Sequence, residues 1–113
     1  MKKLNDFLKS IPHKILSGKA LIDNVEISGG YISDLLSDVM GSAKENEVWI
    51  TIMRHLNVVA VASLASIPAV IFSKGIIPEQ VVMEKAESEG IILISSELST
   101  YELSGKLYKF MSE

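Results

Sequence analysis

The sequence predicts an α/β fold: a single domain with a small, mostly parallel sheet and helices on both faces. Three observations lead there. From Val48 onward, strand-like and helix-like segments alternate with short connections, the pattern of right-handed βαβ crossovers. Two of the strand segments, Ala69–Phe72 and Ile91–Ile94, are apolar without alternation, as strands covered on both faces should be. The last helix marks its own start with a capping box, Ser99 and Glu102, flanked by Leu98 and Leu103 at the positions of a hydrophobic staple.

Taken in order, Leu4, Phe7, Leu8 and Ile11 form one helical stripe, and Pro12 stops it. Short extended pieces are expected around Ile15–Leu16 and Val25–Ser28, and the pair Gly29–Gly30 reads as a turn. Ser33 is expected to N-cap a helix, with Asp34 beside it complementing the helix dipole. Leu35, Leu36, Val39, Met40 and Ala43 make a broad apolar face on that helix, and Gly41 helps end it. Val48–Met53 is rich in strand-formers, with Trp49 expected half-buried on it, and Asn57 is expected to cap a helix running to about Ser66. Pro78 suits the first turn of a helix that buries Val82, Met83 and Ala86 and ends at Gly90. Glu84, Lys85, Glu87 and Glu89 are its solvated surface. Leu103, Leu107, Phe110 and Met111 complete the buried face of the last helix. No repeat, low-complexity segment or linker interrupts the chain, so residues 1–113 read as one domain.

Composition supports one core. At 113 residues, with 48% hydrophobic and 22% charged side chains and a mean hydropathy of +0.31, the chain can bury its own core without a staple. Cysteine is absent, which excludes a disulfide scaffold, a cysteine nucleophile and every thiolate metal site, and fits a reducing cytoplasm. A net charge of −3, a pI near 5.4 and one arginine, Arg54, argue against a nucleic-acid partner. The start MKKLNDFLKSI lacks the apolar stretch of a signal peptide. The charge-free run from His55 to Ser73 is interrupted by Asn57, Ser63, Ser66 and Pro68, so no membrane span is expected.

The chemistry begins with exclusions. No G-x-x-x-x-G-K-[ST] phosphate loop, G-x-G-x-x-G, H-E-x-x-H or G-x-S-x-G occurs, and His13 and His55 are far apart. No catalytic residue, metal ligand or cofactor is therefore expected. The positive feature is geometric, because ligands bind open parallel sheets beyond the carboxyl ends of the strands. The loops Ser28–Ser33, Arg54–Asn57, Ser73–Pro78 and Ser95–Ser99 should converge there. They offer Gly29, Gly30, Ser33, Arg54, His55, Asn57, Ser73, Lys74, Gly75 and Ser99 as candidate ligand-binding residues. Backbone N–H groups, helix N-termini and nearby cations suit a small anion such as phosphate or carboxylate. His55 is in addition a candidate proton donor, since imidazole changes charge near neutrality. The competing reading is that the hydroxyls only cap helices, the glycines only turn the chain and His55 only bonds its own turn. Asp34 and Asp38 read as a solvated helix face rather than a metal pair.

The blocks SGGYISDLLSDVM, VWITIMRHLNVVAVASL, IPAVIF and PEQVVMEKAESEGIILISSELSTYELSGKLY resemble a small stand-alone DRTGG-domain protein from about residue 14 onward. The resemblance implies a fold similar to the N-terminal domain of HPr kinase/phosphorylase, an α/β module without catalytic machinery. It also implies a regulatory or dimerising role, as in DRTGG modules beside CBS, synthetase or acetyltransferase domains. Small members sit beside hydrogenase and sensor-kinase genes and are sometimes labelled serine kinases. Where members carry Asp-Arg this chain has His55–Leu56, and where they carry Thr-Gly-Gly it has Ser73–Lys74–Gly75. Lys74 restores a positive charge on that edge.

The expectation is a non-catalytic regulatory or ligand-sensing module, homodimeric and cytoplasmic, that takes a small anionic or phosphorylated ligand and serves a protein partner in a signalling or redox system. Ile76 and Ile77, apolar in a loop, are the expected dimer contact. Alternatives are a serine-kinase-related or phosphotransfer component, or a structural subunit of a redox or signalling complex.

Overall fold

Apolar runs become the centre of the sheet. In the computed structural model, which describes residues 1–113, five strands assemble in the order β2–β7–β6–β5–β4. They are β2 (Lys14–Ser17), β4 (Gly29–Ile32), β5 (Glu47–Thr51), β6 (Ala69–Phe72) and β7 (Ile92–Ser95). Strands β4 to β7 run parallel, and β2 joins β7 antiparallel as the opposite edge. Two short strands, β1 (Lys2–Lys3) and β3 (Glu26–Ile27), pair antiparallel beside it. A 3-10 helix spans Lys19–Asn24.

Because side chains alternate across a strand, each central strand feeds two cores. Val48, Ile50, Ala69, Ile71, Ile92 and Ile94 meet α1 (Leu4–Leu8) and α5 (Thr100–Ser112) on one face. Trp49, Val70, Phe72 and Leu93 meet α2 (Leu36–Ser42), α3 (Asn57–Leu64) and α4 (Gln80–Glu89) on the other. The predicted fold class is what forms: one α/β domain, mostly parallel, covered on both sides. No helix is long and apolar enough to cross a membrane.

Where one side chain controls one helix end, the structure follows the local sequence signal. Ser99 N-caps α5 with both halves of the capping box in place, the Ser99 hydroxyl accepting from Glu102 N–H at 3.1 Å. Gly90 closes α4 in the left-handed region at φ +71°.

Five expectations are corrected. Gly29–Gly30 are not a turn but the start of β4. A Cβ on Gly30 would lie 2.4 Å from Leu107 Cδ2, so the missing side chain admits α5 rather than bending the chain. Ser33 does not cap α2, whose N-cap is Leu35; its hydroxyl accepts from Leu35 N–H at 3.2 Å in a local turn. Asn57 is the first residue of α3, not its cap. Trp49 is wholly buried, its indole N–H donating to the Ser33 carbonyl at 2.8 Å. Pro78, too, stands just ahead of the α4 N-cap Glu79 rather than inside the first turn.

Candidate functional site

At the carboxyl end of the parallel strands, one hydroxyl organises the backbone. Thr51, buried at the end of β5, donates to the Asp34 carboxylate at 2.7 Å and accepts from Met53 N–H at 3.0 Å. Asp34 also accepts from Ile52 N–H at 2.9 Å. The segment after β4 is thereby tied to the segment after β5. Asp34 spends its carboxylate on this link instead of on the α2 dipole.

The tied segments frame a cleft of about 610 Å³. Ile52, Met53 and Ile77 supply its apolar surface, and Arg54, His55, Asp34 and Glu79 its ionic rim. Arg54 is exposed and makes no ion pair; the chain's two ion pairs are Asp6–Lys9 and Lys85–Glu89. His55 Nδ1 accepts from Asn57 N–H at 3.0 Å, so the ring satisfies one of the free amides at the start of α3. That bond puts the proton of the neutral ring on Nε2. The bland reading of His55 as a residue that bonds its own turn is thus part of its role, and its Nε2–H stays free for a ligand.

The Ser73–Lys74–Gly75 loop behaves differently. Ser73 is buried and its hydroxyl shares a hydrogen bond with Thr100 Oγ1 at 2.6 Å. Lys74 and Gly75 are both left-handed, at φ 63° and 70°. This double reversal sends their N–H groups inward, to the carbonyls of Leu98 and Ser96 at 2.8 Å each. The amides expected to cradle an anion instead clamp the β7–α5 connection. Gly75 lines a second, smaller cleft of about 310 Å³ with His13, Lys14, Ser95, Glu97 and Ile77.

Of the ten residues singled out, the structure brings Arg54 and His55 into the larger cleft and Gly75 into the smaller. Ser33, Asn57, Ser73, Lys74 and Ser99 border the same edge but line neither cleft. Gly29 and Gly30 lie elsewhere, between β4 and α5. Sequence reasoning overlooked Ile52, Met53 and Glu79. The signal was available, since Ile52 and Met53 are the first residues past a strand that ends at Thr51. No group of three or more His, Asp or Glu side chains is placed to hold a metal ion.

An apolar floor beside an unpaired guanidinium suits a ligand with one flat, poorly hydrated part and one anionic part. The His55 ring accepts its hydrogen bond from a backbone amide and is not paired with a hydroxyl.

No curated protein matches the chain by sequence. Among solved structures it is similar to the CBS and DRTGG domains of the regulatory region of Clostridium perfringens pyrophosphatase, crystallised with its activator diadenosine tetraphosphate. The TM-score is 0.71 at 13% identity, over 94% of this chain and 46% of that one, so this chain spans less than half of that structure's length. The model of the family described as HPr Serine kinase N terminus matches residues 53–111. That match runs from the cleft segment after β5 to the end of α5, more than half of the chain, and with the DRTGG-like architecture it shows that the chain belongs to the HPr serine kinase N-terminus family.

Proposed function

We propose that the chain is a non-catalytic, cytoplasmic regulatory module that binds a small phosphorylated ligand in the Arg54–His55 cleft and acts as a homodimer. The observation that carries this reading is the pairing of an unpaired Arg54 guanidinium with the apolar Ile52, Met53 and Ile77 in one cleft. A nucleotide has both parts, a flat base and phosphate charge. The similar pyrophosphatase region, solved with a dinucleotide activator, supports that class of ligand. The absence of a phosphate loop from the sequence supports the non-catalytic half of the reading.

Self-association is supported by exposed apolar side chains around the same edge: Ile52, Leu56 and Ile77 are 37%, 39% and 47% exposed. Two copies meeting there bring two clefts together, so that ligand and dimer reinforce each other. A protein partner then reads the occupied dimer.

A thermal-shift series with inorganic phosphate, ATP and diadenosine tetraphosphate tests the ligand. A bound nucleotide at about 100 times its Kd stabilises by about 2.7 kcal/mol, and Tm rises by several degrees. The rise should be lost in Arg54→Ala, whose own Tm is unchanged because the guanidinium is unpaired. No shift with any of the three, or equal shifts in the variant, overturns the site. Incubation with labelled ATP and magnesium should leave no label on the protein; labelling favours the phosphotransfer alternative.

A further inference from the structure

The largest concavity of the molecule shares no lining residue with the Arg54 cleft; it lies between edge strand β4 and helix α5 and encloses about 750 Å³. Its floor is made of Gly29, Gly30 and Gly105, and its walls of Ile32, Tyr101 and Tyr108. Packing accounts for only one of the three glycines. Gly30 is needed because Leu107 fills the place of its Cβ, whereas a Cβ on Gly29 would meet its nearest atom, Glu47 Oε2, at 3.5 Å. Gly105 has nothing within 4 Å, although it sits inside a 13-residue helix where glycine is unfavourable. Tyr101 and Tyr108 are 88% and 78% exposed, two large side chains on one helix face with nothing of their own chain to cover them.

The strand beside this groove is an unpaired edge. Ser28 N–H donates to the Asn46 carbonyl just before β5. In a parallel pair each residue directs both backbone groups to one side, and successive residues alternate. Gly30 and Ile32 therefore face β5, and Gly29 and Tyr31 present their N–H and C=O outward. Natural sheets guard such edges with charge, proline or a bulge. The opposite edge, β2, carries Lys14 and a register break between Ile15 and Ser17. Strand β4, Gly-Gly-Tyr-Ile, carries none of these devices.

We infer that the β4 edge and its groove receive an extended, basic peptide segment of another protein, which adds as a sixth strand and lays its apolar side chains between Tyr101 and Tyr108. Backbone pairing supplies affinity, and pockets for alternate side chains supply selectivity. Charge decides the class of occupant. Glu47 and Glu102 are the only formally charged side chains lining the groove. A second copy paired here about a two-fold axis sets carboxylates against carboxylates, whereas lysines or arginines on an added strand complement them.

Fluorescence anisotropy on the full chain tests this with a labelled Lys-Val-Lys-Val-Lys-Val peptide and its Glu-Val-Glu-Val-Glu-Val counterpart. The basic peptide should bind at concentrations below about 1 mM and the acidic one should not. Gly105→Leu fills the groove with a better helix former, so it should weaken binding at least about tenfold without lowering Tm. Glu47→Gln should weaken the basic peptide and leave the fold intact. Absent binding of the basic peptide, equal binding of both peptides, or undiminished binding by a folded Gly105→Leu chain overturns the inference. So does a dimer that Gly105→Leu dissociates while neither peptide binds, which assigns the edge to a second copy.

Discussion

Gly30 on β4 and Leu107 on α5 occupy adjoining space so closely that a Cβ on the glycine would fall 2.4 Å from Leu107 Cδ2. Leu107 is 2% exposed, so its side chain must repack to admit a methyl group. Gly30→Ala should therefore destabilise by about 1–3 kcal/mol through overpacking. Gly105→Ala, in open space inside α5, should stabilise by about 0.5–1 kcal/mol by removing glycine from a helix interior. Urea midpoints of the two variants should move in opposite directions; parallel movement refutes the packing argument.

Ser99→Ala removes the acceptor for Glu102 N–H and breaks the reciprocal box. The expected cost is about 1 kcal/mol, read as a lower denaturation midpoint at unchanged slope. An unshifted midpoint means that the cap contributes nothing to the start of α5.

The two clearest readings of the sequence, the capping box and the continuous apolar strands, depend on interactions within a few residues or on composition alone. Features that depend on distant partners carry no such local mark. Gly29–Gly30 look like a turn until α5, more than seventy residues later, is seen to press on Gly30. Ser33 and Asp34 look like a cap and its dipole partner, yet Trp49 and Thr51 claim the Ser33 carbonyl and the Asp34 carboxylate across the sheet. The same holds at the carboxyl edge of the sheet. Arg54 and His55 follow β5 closely in sequence and line a cleft there, while the amides of Lys74 and Gly75 are taken by the β7–α5 connection, a pairing that no local pattern announces.

The Tyr31 hydroxyl donates to the Asp38 carboxylate at 2.8 Å, and that bond first of all raises the phenol above the ordinary tyrosine value of 10.0. Ser42 opposes the shift; burial and the negative charges of Asp38 and Glu47 add to it. A raised folded value favours the neutral phenol. Stability from this bond is complete below the ordinary value and is lost as pH rises through the raised one. Asp38→Asn should bring the Tyr31 midpoint down, followed as phenolate absorbance in the difference from Tyr31→Phe. An unmoved midpoint removes Asp38 as the cause.

Ile77→Asp puts a charge into the apolar edge proposed to self-associate. Light scattering should show the wild type at twice 12.4 kDa and the variant at 12.4 kDa, with the melting curve of the dilute protein little changed. A wild-type mass of 12.4 kDa at all micromolar concentrations ends the dimer proposal, and a variant that stays dimeric moves the interface elsewhere.

Strand β6 is flanked by strands on both sides and buried on both faces, and its residues belong to both cores. Neither helical layer can detach without uncovering it. Its amide protons can therefore reach solvent deuterium only when the whole molecule opens, and their exchange rates measure the global free energy of unfolding. The α5 termini and the edge strands, held from fewer directions, exchange through smaller openings. A ligand in the Arg54 cleft, which stabilises the native state as a whole, slows the β6 amides by the full factor of its binding, although none of them touches it.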